Sequence, residues 1–227
     1  MIKEILILAT VGGLLALDAT AVGQILISQP LISGPIIGLI FGDLQTGLLV
    51  GTLLQLIWIG KLPVGGANPS LGVALLGIFS VGLVIIYQTG GIQPGLLPVA
   101  VFLGTIVGFL AQKGEAVLGR VNDNLVHLAD RFIEQNKFWG IEAINWISLI
   151  FIFIFAFLLI FISTFLGLKF CSFLFRMINP QTVRGLILAE KMLPILGLAV
   201  VFKLFATRRN FSFFFIALLL TLGLKLL

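Results

Sequence analysis

The residues of this chain that could act on a ligand form a polar trail through otherwise apolar sequence: Asp18, Thr20, Gln24, Ser28, Gln29, Ser33, Asp43, Gln45, Thr46, Gln55 and Asn68. Amides and hydroxyls are costly in an apolar surrounding unless satisfied, and a sugar is a ligand whose hydroxyls supply the missing donors and acceptors. The same groups can instead bond to one another or to the backbone of broken helices. For any single residue that role is the commoner one; the clustering is what points to a polar cavity. Within the trail, Gln24, Gln55 and Asn68 are the candidate amide ligands. Trp58 is a candidate stacking face or, equally, a lipid-facing anchor, and Gly65 with Gly66 would let backbone approach a ligand closely.

What is missing bounds the chemistry further. There is no paired-carboxylate spacing, no nucleophile elbow and no phosphate-cradling loop, so catalytic turnover by this chain alone is not expected. Cys171 is the only cysteine and His127 the only histidine, which excludes an intrachain disulfide, a cysteine metal site and a histidine-rich centre. No cofactor is called for.

The elements that must position these residues belong in a bilayer. Charged residues are 10% of the 227 positions and apolar residues 59%, against roughly 25% charged in a soluble domain. The mean hydropathy of +1.21 is spread along the chain, so lipid must solvate most of the fold. The formal charge of +5 comes from Lys and Arg scattered at segment ends; membrane topology accounts for it better than nucleic-acid binding does. Met1 to Leu17 reads as a retained membrane segment, because apolar sequence continues past Asp18 without a cleavage site. The expected fold is an all-α integral membrane protein, multi-pass, with short broken or re-entrant segments in its N-terminal half.

Three regions are expected. Residues 1–112 form a membrane region with broken helices and the candidate site. Pro30 to Phe41 and Leu44 to Ile59 are apolar but shorter than the roughly 20 residues a spanning helix needs, and so read as half-spans. From Leu62 to Gln112 no formal charge occurs while Gly and Pro recur; this suggests protein-buried loops at membrane depth, with two ordinary helices as the alternative. Residues 113–138 form an amphipathic connecting helix with Leu118, Val121, Leu125, Leu128 and Phe132 on one face. Residues 139–227 form C-terminal membrane helices, with Trp139 and Trp146 as interfacial anchors. Glu190 is either a functional intramembrane carboxylate or part of a solvated helix start beside Lys191.

The run from Leu17 to Ile78 resembles the N-terminal half of mannose/sorbose-type phosphotransferase system (PTS) IIC components. Asp18, Thr20, Gln24, Ser28-Gln29-Pro30, Gly38, Gly42-Asp43, Thr46-Gly47, Gly51, Leu54-Gln55-Leu56, Gly60 and Pro63-Val64-Gly65 fall in register with that pattern. HLADRF at His127 to Phe132 and NPQTVRGLILAEKMLPILGLAVV at Asn179 to Val201 resemble later parts of the same family. The resemblance implies a bacterial cytoplasmic-membrane subunit in an oligomeric complex. It would pair with a IID-type membrane subunit, bind a hexose-like sugar and deliver it to cytoplasmic IIA/IIB phosphocarrier proteins. It also implies that His127 is not a phosphoryl carrier, and that Asp18, Gln29 and Asp43 are structural or gating residues, Asp43 at a helix start beside Gly42.

Three departures from the family pattern each remove a charge: Gln29 stands where Arg is common, Gln55 where Glu is common, and Ser70 where an acidic residue follows the proline. Either the substrate differs, or this copy is a transport-impaired membrane scaffold or regulatory subunit. A proton-coupled carrier built on Asp18 or Glu190 is a more distant reading.

Overall fold

In lipid every backbone N–H and C=O must find its partner within the protein, and this chain meets that demand with helices. The computed structural model describes residues 1–61, 71–88, 93–135, 137, 139–205, 213, 216 and 221. Among these, seven α-helices follow one another: α1 (Ile2–Thr20), α2 (Pro30–Phe41), α3 (Leu44–Trp58), α4 (Leu71–Gln88), α5 (Leu96–Glu134), α6 (Trp139–Met177) and α7 (Pro180–Phe205), with a 3₁₀ turn at Ile59–Lys61. Four of them, α4 to α7, are long and apolar enough to cross a membrane. The chain is an all-helical, multi-pass membrane protein.

α4 is the central post. It packs against α1, α2, α3, α5 and α6, and all but its last two residues are buried. Two glycines let neighbours close on it: a Cβ at Gly77 would collide with the Pro30 ring of α2, and one at Gly82 with the Leu8 side chain of α1. On the far side Gly104 of α5 lies over Ser80, whose hydroxyl donates to the Ala100 carbonyl at 3.1 Å. The loops expected at membrane depth between residues 62 and 112 fall mainly at 62–70 and 89–92, outside the described residues, and the described part of that stretch is mostly helical. It holds two packed helices, and its glycines serve close packing inside them as well as their ends.

α5 is continuous across residue 112. Its buried positions stop at Ala111 and its polar half carries on to Glu134 without a break, so the amphipathic segment is an extension of a spanning helix. At 39 residues each, α5 and α6 are about 58 Å long, against a hydrocarbon core of about 30 Å. Both must project beyond it. The projecting ends meet where the Phe132 and Trp139 rings stand 5.6 Å apart, and His127 is exposed on the same arm.

α7 is peripheral. Asn179 caps it, its Oδ1 accepting from the Thr182 N–H at 3.0 Å, and it lies against α3 and α5. Glu190 turns out to be a tertiary contact: its Oε2 accepts from the Gly95 N–H at 3.0 Å, placing a carboxylate at the positive end of α5. Gly95 has φ +78 and lies under Leu186, so it serves both the turn and the close approach.

α2 and α3 have 12 and 15 residues, about 18 and 22 Å, too short to span. They form a hairpin closed by Gly42 in the left-handed region (φ 79) and by Asp43, whose carboxylate accepts from the Thr46 N–H at 3.0 Å. Four glycines bring the two backbones together. A Cβ on Gly34 would stand 2.5 Å from the Gly47 carbonyl oxygen, one on Gly38 2.7 Å from the Asp43 carbonyl oxygen, and one on Gly51 would overlap the Pro30 carbonyl. This is small-residue packing at four-residue spacing on both helices, which substitutes for a hydrophobic driving force inside lipid. Gly47→Val is expected to destabilise the protein by more than about 2 kcal/mol, because the obstacle is backbone and cannot repack. Gly119→Ala, on an open face of α5 with nothing within 4 Å, is expected to stabilise by about 0.5–1 kcal/mol. Detergent melting curves of the two variants test this, and equal melting temperatures would disprove the close-packing account.

Candidate functional site

The site is built where the chain leaves α1 and enters α2. The connecting loop takes left-handed φ at Gly23 (79), Gln24 (51) and Leu26 (69), two of them at residues with side chains. Such angles are unfavourable for non-glycine residues and persist only when surrounding contacts impose them. Asp18 supplies those contacts. Its Oδ1 accepts from the Ile25 N–H at 2.8 Å, and its Oδ2 accepts from both the N–H and the hydroxyl of Ser28 at 3.0 Å. With its carboxylate engaged by the loop, Asp18 positions residues and leaves little capacity for a ligand.

The loop delivers Gln29 as the N-cap of α2, with Pro30 at the first helical position, where the absence of an N–H costs nothing. The Ile32 and Ser33 N–H groups donate to the Gln29 carbonyl at 2.9 and 2.8 Å. Leu31 N–H, the remaining early donor, is met from the neighbouring helix: Gln55 Oε1 of α3 accepts it at 3.3 Å. That bond fixes the amide orientation, because an N–H requires the oxygen. Gln55 Nε2 then points elsewhere, buried and without a partner among the described residues, as are Gln29 Oε1 and Ser33 Oγ. The three residues are 8%, 5% and 0% exposed. The first turns of α2 thus gather an orphan donor, an orphan acceptor and an orphan hydroxyl, with no free charge. The set can hydrogen-bond hydroxyl groups and cannot perform covalent chemistry.

The other candidate residues fall elsewhere. Gln24 is exposed in the loop, its Nε2 donating to the Thr20 carbonyl at 3.2 Å. Trp58 borders a separate crevice of about 180 Å³ with Leu76, Thr105 and Gln112. Asp43 shapes the opposite end of the hairpin. Gly65, Gly66 and Asn68 lie outside the described residues, as does Ser70. Ser33 belongs to the polar trail but is not among the candidate ligands read from the sequence, because a lone serine carries no directional signal there. It lies four residues from Gln29 on one helix face, which is the clue that was available.

Comparison with known proteins now places this arrangement. The family described as the PTS system sorbose-specific IIC component matches residues 2–227. The chain belongs to that family. It is 31% identical over 195 residues to the PTS system sorbose-specific EIIC component of Klebsiella pneumoniae, covering 84% of this chain and 70% of that protein. It is 49% identical over 41 residues to the putative N-acetylgalactosamine permease IIC component 2 of Escherichia coli K12, a match covering 18% of this chain and only 31% of the relative. In structure it is similar to a chain of the mannose transporter ManYZ, seen in complex with microcin E492. The TM-score is 0.55 at 23% identity, covering 96% of this chain and 84% of that one, a likeness of fold. In this IIC-family chain, Asp18→Ala is expected to speed amide hydrogen exchange at Ile25 and Ser28 by about tenfold to a hundredfold, the loss of one hydrogen bond to a charged group or more. Exchange in α5 should not change. Unaltered exchange at Ile25 and Ser28 would remove Asp18 from this positioning role.

Proposed function

We propose that this chain is the sugar-conducting IIC subunit of a mannose/sorbose-type phosphotransferase system, and that it takes a neutral hexose-like sugar at the first turns of α2. The observation that carries the reading is the buried, uncharged set Gln29 Oε1, Ser33 Oγ and Gln55 Nε2. A hydroxyl can donate to the first and accept from the last, and each buried orphan that gains a partner recovers part of its desolvation cost. The half-span hairpin supports the same reading, since backbone that ends at membrane depth is a recurrent way of building transport sites.

The departures at Gln29 and Gln55 also favour transport over the scaffold reading. Both residues sit at the same end of α2. Losing an Arg and a Glu together there leaves the local net charge unchanged, and two amides still present a donor and an acceptor. This is the pattern of a retuned site. The IID-type partner, the IIA/IIB phosphocarriers and the bacterial cytoplasmic membrane are parts of the proposal. The ManYZ likeness and the family membership support them.

Ser33→Ala separates binding from folding, because the Ser33 hydroxyl has no partner among the described residues. It is expected to leave melting unchanged or slightly raised while weakening sugar affinity about five- to a hundredfold. Gln55→Ala is expected to lower both, since Leu31 N–H loses its acceptor as well. Calorimetry with a panel of hexoses and amino sugars, on the chain purified with its IID partner, reads both effects. Absence of binding by the wild type to every sugar would overturn the transport reading and leave the scaffold.

A further inference from the structure

A cavity of about 640 Å³ that shares no lining residue with α2 or α3 opens between the start of α1, the end of α4 and the C-terminal half of α6. Tyr87, Lys169, Ser172 and Arg176 line it, with Glu4 and the apolar Phe173. Lys169, Ser172 or Phe173, and Arg176 succeed one another at three- and four-residue steps, so two cations and a hydroxyl share one face of α6. Of the nine Asp and Glu side chains only Glu4 borders this cavity, and it is engaged by the Met1 amine at 2.8 Å. Neither Lys169 nor Arg176 forms an ion pair among the described residues. The Lys169 ammonium instead lies 4.3 Å from the Phe165 ring centroid. The Ser172 hydroxyl donates to the Leu168 carbonyl at 2.8 Å, so the cavity carries two cations and the Tyr87 hydroxyl, with no anion paired to the cations among the described residues.

Its depth is set by α6 itself. No charged residue occurs between Glu142 and Lys169, an uninterrupted apolar stretch about 39 Å long, enough to cross the hydrocarbon core with tilt. Lys169 is the first charge beyond it, and so stands at headgroup level. Below it the exposed Ile162 and Leu166 continue down α6 at helical spacing into the hydrocarbon, while Phe173, one turn beyond Lys169, borders the cavity. An anionic pocket-filler with apolar chains hanging below it matches both halves.

We propose that this cavity binds the headgroup phosphate of an anionic phospholipid, with Lys169 and Arg176 on the phosphate, Tyr87 donating to its oxygens, and an acyl chain along the exposed Ile162 and Leu166 face of α6. Basic pockets at helix ends recognise lipid headgroups in this way. The site is independent of the sugar site and makes no use of it.

The test is native mass spectrometry of the full chain in detergent supplied with phosphatidylglycerol or phosphatidylcholine. Wild type is expected to retain phosphatidylglycerol selectively. Lys169→Gln with Arg176→Gln should weaken retention about twenty-fivefold, two cations at about fivefold each. Lys169→Arg with Arg176→Lys should keep it. Lys113→Gln with Arg120→Gln, an equal charge change on the far arm, should have no effect. If the glutamine pair does not fold, Lys169→Gln alone, expected at about fivefold, carries the comparison. Equal retention of the two lipids, or an equal loss in the Lys113/Arg120 control, overturns the site. Displacement of the lipid by millimolar inorganic phosphate overturns its assignment to lipid and makes it a free-phosphate site.

Discussion

The backbone contact between α2 and α3 is the constraint on which the rest of the architecture rests. Two helices of 12 and 15 residues cannot cross a bilayer, and their ends expose donors and acceptors that lipid will not satisfy. Gly34 and Gly38 against Gly47 and Gly51 bring the helices close enough for one to serve the other. Only at that separation does Gln55 of α3 reach the Leu31 N–H of α2. Side chains at the four positions would push α3 away and leave that end of α2 unsatisfied.

A second consequence follows for electrostatics. Three carboxylates near the hairpin are committed to backbone: Asp18 to the loop before α2, Asp43 to the start of α3, and Glu190 of α7 to Gly95 at the start of α5. Each carboxylate meets N–H groups at a loop or helix start, where the local dipoles favour negative charge. The positions facing the interior of the hairpin end are left neutral. A neutral site in low dielectric binds through directional hydrogen bonds, and it does not have to strip the hydration from an ion. That suits a polyhydroxylated, uncharged ligand entering from water.

The two ends of the molecule divide their tasks. At one end the Lys169–Arg176 face of α6 carries positive charge at headgroup level with no ion-pair partner among the described residues. At the other, the paired extensions of α5 and α6 carry mixed charge beyond the hydrocarbon. Helices of this length anchor a fold against the bilayer at both surfaces, while the short hairpin, held between α4 and α7, is free of that duty. It is the element whose chemistry can vary without disturbing the membrane frame.

Composition and hydropathy were enough to read an all-helical membrane protein, because lipid selects for them residue by residue. The shortness of Pro30 to Phe41 and Leu44 to Ile59 announced half-spans, and Gly42-Asp43 announced the turn between them, since length and capping are local properties. The family, too, was legible in the run from Leu17 to Ile78. Tertiary structure decided which polar residues meet. Gln24 and Gln55 are both amides in the same trail, yet the left-handed loop held by Asp18 leaves Gln24 in the open, and the glycine contact carries Gln55 onto α2. It also decided that the amphipathic segment continues α5 and that Glu190 belongs to α5's start. These depend on which helix faces come together across long sequence separations, and no periodicity within one segment encodes that.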